Sequence, residues 1–126
     1  MLRTFAACSF AVIAFAVVSQ PALAAECQGP LSYWALCSRC TVEANKTTKR
    51  DTPCEMGVNL WSNSALLSQH IIKPPAHGAA GISAANYAYR PAKGFVGRDS
   101  FTLERAITVG DRAYVMYVKV NIDVVP

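Results

Sequence analysis

The clearest pattern in the chain is the alternation near its C-terminus. Tyr114, Met116, Val118, Val120, Ile122 and Val124 fall at every second position, while Tyr117, Lys119, Asn121 and Asp123 occupy the positions between them. Successive side chains of an extended strand point to opposite faces, so this spacing predicts a strand with one buried and one wet face. Its β-branched content agrees. The same alternation predicts a strand over Asp99–Glu104, with Phe101 and Leu103 facing one way and Ser100, Thr102 and Glu104 the other. Gly110-Asp111 between the two predicts a tight hairpin. Tyr87 and Tyr89 share a face at period two within 86–91. Val58–Trp61 and Leu66–Ile72 are apolar-rich, and a short segment around Gly81-Ile82-Ser83 is expected to return from the turn at Lys73-Pro74-Pro75-Ala76-His77-Gly78.

The first residues carry a different pattern. After Met1-Leu2-Arg3 comes an apolar run, Phe5 to Val18, then Pro21 and Ala22-Leu23-Ala24. A basic start, an apolar centre and a small-x-small exit describe a secretory signal peptide over 1–24, with cleavage after Ala25 as an alternative. The run of about 14 residues is shorter than the roughly 20 that span a bilayer. The expected location is therefore secreted or periplasmic, with no integral membrane segment after processing.

Export changes how charge and cysteine are read. Removing residues 1–24 from 126 leaves 102, the size of one domain. Arg3 leaves with the leader, so 12 basic residues fall to 11 against 8 acids, a mild net +3. That balance and the exported address argue against nucleic-acid binding. Cys8 also leaves, and Cys27, Cys37, Cys40 and Cys54 remain. Four cysteines in an exported chain predict two disulfides. Because Cys37 bonded to Cys40 would tie only a local loop, the expectation is that Cys27 and Cys54 each pair with one of those two. Zinc and thioredoxin-like redox chemistry are the alternatives. A single close Cys-x-x-Cys and no βαβ pattern speak against both.

Residues 25–57 read as a cysteine-rich, irregular segment, and 58–126 as the strand-rich region of the same domain. Leu31–Leu36 is a short strand candidate with Trp34 as a core anchor. Asn45–Asp51 is polar without a period and predicts a solvated loop. Its Lys46, Lys49 and Arg50 can meet an anionic surface, though exposure alone accounts for them. Asn45-Lys46-Thr47 fits a glycosylation sequon, which carries no weight without evidence of a eukaryotic source. No helix is expected after the leader. Several short strands with turns between them predict an all-β sandwich.

Three stretches carry a resemblance. Pro75-Ala76-His77-Gly78, then Tyr87-Ala88-Tyr89-Arg90-Pro91-Ala92-Lys93-Gly94-Phe95-Val96-Gly97-Arg98-Asp99-Ser100-Phe101, then the valine-rich final strand, resemble bacterial Ig-like domains of the cadherin-like type over about residues 71–125. The resemblance implies an Ig-like antiparallel sandwich with the cysteine-rich segment stapled onto it. It marks His77, Gly78, Tyr89, Pro91, Gly94, Phe95, Gly97, Asp99 and Phe101 as structural motif residues. Gly94 and Gly97 would take backbone angles closed to other residues, Phe95 and Phe101 would fill the core, and Asp99 would accept backbone N–H bonds. Such domains serve as spacers, adhesion modules or binding scaffolds. Calcium-bound relatives cluster their acids, whereas Asp99, Asp111 and Asp123 are scattered, so calcium is not expected.

No motif for catalysis stands out. The two histidines, His70 and His77, neighbour no serine or cysteine nucleophile motif, and the eight acids suggest no opposed carboxylate pair. No copper or zinc site at His70 and His77, and no cofactor, is expected. The sequence therefore points to a non-enzymatic exported module that binds a protein or glycan, or forms part of the envelope. The alternative is a small disulfide-stabilised inhibitor or effector acting on a foreign enzyme or host surface.

Overall fold

The computed structural model describes residues 27, 29, 37–58, 60 and 62–126. The leader, Leu31–Leu36 with Trp34, and Trp61 lie outside these residues. Among the described residues seven strands run in order: β1 Thr41–Lys49, β2 Cys54–Gly57, β3 Ser64–Lys73, β4 Gly78–Ser83, β5 Asn86–Pro91, β6 Gly97–Val109 and β7 Arg112–Val125. They form a four-stranded sheet in the order β1-β7-β6-β3 and a three-stranded sheet in the order β2-β5-β4. This is an all-β sandwich, and no helix occurs among the described residues. Lettered A to G along the chain, the strands place C, F and G together in one sheet and B, E and D in the other. That is the neighbour order of an immunoglobulin sandwich, with the first strand joined to the C-F-G side.

The alternation in the sequence maps directly onto the core. Phe101, Leu103, Val118, Val120, Ile122 and Val124 are buried inward-facing residues of β6 and β7. Across the core they meet Cys54 and Met56 of β2 and Tyr87 and Tyr89 of β5. The Phe101 ring lies edge-on to Tyr87 at 6.4 Å and stacks on Tyr89 at 6.1 Å, separations at which aromatic pairs add to area burial. β6 and β7 pair along their full length, from Gly97↔Val124 to Val109↔Arg112. Gly110 joins them at φ 60°, and positive φ at the first of two turn residues matches the type II′ hairpin.

Two expectations need correction. Asn45–Asp51 is not a solvated loop: residues up to Lys49 belong to β1, which pairs in parallel with β7 from Thr41↔Tyr117 to Lys49↔Val125. The sheet is therefore mixed rather than purely antiparallel. Of its inward positions only Ala44 and Thr48 are buried. β1 is held chiefly by its backbone ladder to β7, so it shows no apolar period. β2 likewise lies within the segment read as irregular.

The second correction concerns the disulfides, which pair Cys27 with Cys54 and Cys37 with Cys40. Their Cα atoms are 5.0 Å and 5.8 Å apart, within the ordinary span of a disulfide. The local loop dismissed from spacing does form, because the chain turns at Arg39 with φ 59° just before β1. Arg39 N–H donates to the Val115 carbonyl at 2.6 Å and Tyr117 N–H to the Cys40 carbonyl at 2.9 Å, which fixes the loop against β7.

Candidate functional site

The motif residues converge at one end of the sandwich, where β3 crosses to β4, β5 to β6 and β1 to β2. Asp99, near the start of β6, is buried and faces inward. Its Oδ1 accepts the N–H groups of Ala76 at 3.0 Å and Ser100 at 2.9 Å. Its Oδ2 accepts His77 N–H at 3.0 Å and the Tyr89 hydroxyl at 2.8 Å. Four donors on one carboxylate compensate its burial, and charge-assisted bonds of this kind are the stronger class. Burial, together with the Asp99 carboxylate, pushes the Tyr89 hydroxyl well above its ordinary pKa.

The neighbouring motif residues shape this corner. Gly78 pairs with Pro91, the buried last residue of β5. A side chain at Gly78 would collide with the Arg90 carbonyl and come within 2.9 Å of the Tyr89 ring. Phe95 is half-buried and stacks on the His77 imidazole, with centroids 4.4 Å apart and planes 5° from parallel. Gly94 and Gly97 hold φ of 79° and 140°, in the region that disfavours side chains. Gly94 N–H donates to Asp51 Oδ1 at 2.7 Å, and Ala92 N–H to the His77 carbonyl at 2.8 Å. Three loops, 50–53, 74–77 and 92–96, are thereby cross-braced.

Beside this corner the outer face of the four-stranded sheet forms an open groove of about 830 Å³. Strand register builds its floor. Asn45, Asn121 and Ser100 make one row across β1, β7 and β6; Thr47, Asp123 and Arg98 make the next. Asn121 Nδ2 donates to Asn45 Oδ1 at 3.0 Å. Lys73, Pro74 and His77 close one side, and Gly29 and Lys46 the other. Its lining combines amides and hydroxyls with the cations Lys46, Lys73 and Arg98 and the acid Asp123, largely on paired strands whose backbone geometry is set. Such a surface can hold a polar, extended ligand. The Asp99 oxygens are already engaged by four donors, which suits a brace rather than a proton acceptor.

The remaining sequence candidates are placed as follows. His70 lies on β3, with its Nε2 3.7 Å from Glu104 of β6, whereas His77 lies in the 74–77 loop against Phe95. Among the described residues no group of three His, Cys, Asp or Glu is arranged to hold a metal ion, and no helix is long and apolar enough to cross a membrane. Phe101 is fully buried in the core.

Sequence reasoning missed the groove itself and Arg105. The groove depends on β1, whose polar sequence predicts a loop. Arg105 follows Phe101 and Leu103 at period two on the inward face of β6 and is 2% exposed. Its guanidinium donates through Nε and Nη2 to Gln69 Oε1, both at 3.2 Å, and lies 5.4 Å from the Tyr87 ring centroid. Burial lowers its pKa and raises that of Tyr87, and each group partly offsets the shift of the other. The alternation that predicted Phe101 and Leu103 inward also placed Arg105 there. No protein-family model matches this chain, and no curated protein shows significant similarity to it.

Proposed function

We propose that the chain is an exported, non-enzymatic Ig-like module that binds an extended polar partner, a protein or a glycan, through the groove of its four-stranded sheet. The observation that carries this reading is the arrangement of Asn45, Asn121, Ser100, Thr47 and Arg98 in register on three paired strands, next to a corner braced by Asp99. Binding sites on strands hold their side chains more precisely than sites on mobile loops. The leader-like residues 1–24 support export. The two disulfides fit an oxidising compartment.

The test compares wild type with Asn121→Arg, which fills the groove floor, in binding to isolated envelope material. Binding by wild type that the variant loses supports the reading. No binding by wild type, with intact envelope integrity on deletion of the gene, overturns it. Export is checked separately. The mass of the protein recovered outside the cytoplasm should lack residues 1–24 or 1–25.

A further inference from the structure

We propose that the ligand of this groove is an anionic polysaccharide, one carrying carboxylate or phosphate groups along a hydroxyl-rich chain. The inference rests on the reading of the groove as a binding surface and goes on to name its chemistry. The first observation is a charge asymmetry that the fold creates. Lys49 and Arg50 stand where β1 ends, and Lys73 where β3 ends. Arg90, Lys93 and Arg98 surround the β5–β6 crossing, and Lys46 lines the groove. Seven of the 11 basic residues beyond the leader thus gather at one end of the sandwich.

The acids at this end are partly committed. Asp99 is buried under four donors, and Asp51 receives Gly94 N–H beside Arg50. Asp123 remains exposed on the groove floor. Among the described residues, Lys73 and Arg98 are exposed and make no ion pair. The opposite end has Arg39 and Arg112 with Asp111, and Glu55 lies near the start of β2, nearer the groove end. A potential of one sign over a surface cleft raises the local concentration of the opposite charge, an effect reaching about 8–10 Å at physiological salt.

The second observation separates a glycan from other anions. A lipid surface would meet a flat cationic face with several protruding apolar side chains. Here Lys46, Lys73 and Arg98 line a groove, and the exposed large apolar residues at this end are two separate ones, Ile72 on β3 and Val96 on 92–96. Asn45, Asn121, Ser100 and Thr47 line the groove between the cations. Their amides and hydroxyls match sugar hydroxyls, while Lys73 and Arg98 match the acidic groups.

Binding of the mature, oxidised protein to polygalacturonate, to poly(glycerol phosphate), to neutral dextran and to vesicles containing phosphatidylglycerol tests this. Wild type should bind one or both anionic polymers with an affinity that falls as salt rises, and should not bind dextran measurably. Lys73→Gln with Arg98→Gln should weaken binding about tenfold, the sum of two modest charge contacts. Arg39→Gln with Arg112→Gln, at the far end, should change it less than twofold by the same reasoning. Thermal unfolding of each variant confirms that it folds. Equal loss from both double variants overturns the site, because binding would then follow net charge alone. Binding to the vesicles but to neither polymer overturns the glycan in favour of a lipid surface. If wild type ignores both polymers yet Asn121→Arg abolishes envelope binding, the glycan inference falls and the groove stands. If Asn121→Arg changes neither, the groove reading falls with it.

Discussion

Two opposite buried charges flank Phe101 and Leu103 on β6, and they are held differently. Asp99 lies two residues before Phe101, and Arg105 two residues after Leu103, all on the inward face. Asp99 gathers four donors from three separate segments, with sequence separations of up to 23 residues. Arg105 lies over the Tyr87 ring and donates to Gln69, which itself donates to the Ala84 and Asn86 carbonyls and so ties β3 to the β4–β5 turn. Each end of the sandwich also has one disulfide. Cys27–Cys54 closes a separation of 27 at the loop end, and Cys37–Cys40 a separation of 3 at the turn end. Both ends use long-range polar contacts but carry them differently. The groove end gathers three segments on one carboxylate. The other end runs through Gln69, which links Arg105, 36 residues away in sequence, to the β4–β5 turn.

The largest test of this contrast is Asp99→Ala. It strands three backbone N–H groups and a buried hydroxyl, and should lower stability by about 4 kcal/mol, read from urea denaturation. A cost below about 1 kcal/mol would show that the corner is held by packing alone. The disulfides come next. Replacing Cys27 and Cys54 together by alanine should cost about 3.5 kcal/mol on loop entropy, against about 2 kcal/mol for Cys37 and Cys40. Equal costs would mean that the loop end owes nothing special to its long crosslink. Arg105→Met keeps the apolar stem against Tyr87 and removes the buried charge. It should cost about 1–2 kcal/mol, clearly less than Asp99→Ala, since replacing a buried charge by a hydrophobe of similar shape removes its desolvation penalty together with its bonds. A larger loss than at Asp99 would invert the comparison.

The smallest effect is the most specific. Tyr89→Phe removes one of the four donors and should cost about 1 kcal/mol at neutral pH. Its pH dependence follows from the raised Tyr89 pKa. Above the ordinary tyrosine value of 10.0 the unfolded chain has released this proton while the native state still holds it. Stability therefore falls as pH rises beyond that value. The variant should lose about 1.4 kcal/mol less per pH unit than wild type over that range. Tyr87, also raised by burial, keeps a residual slope in both proteins. Identical alkaline slopes would show that the Tyr89–Asp99 bond is not maintained in solution.

How much was legible depended on the kind of contact. The strands β5, β6 and β7, the II′ turn at Gly110-Asp111 and the buried face of Phe101, Leu103 and the terminal valines could be read because each is a local pattern. Side-chain alternation and turn chemistry are properties of neighbouring residues. β1 could not be read this way. Its inward face holds Val42, Ala44, Lys46 and Thr48, too polar to show a period, and it becomes a strand only because β7 offers it a ladder. The disulfide pairing failed for a related reason: spacing says how long a loop would be, not which sulfurs the fold brings together.

By itself, then, the sequence determined the all-β class, the apolar face of the long hairpin and the glycines that its turns and crossings need. These follow from backbone geometry and the burial preference of side chains within a few residues of one another. Only the tertiary structure decided that Asn45 meets Asn121 and that Asp99 gathers Ala76, His77 and Tyr89. It also decided that Lys46, Lys73 and Arg98 line one groove. Those choices depend on which strand lies beside which, a long-range outcome of closing one core between two sheets.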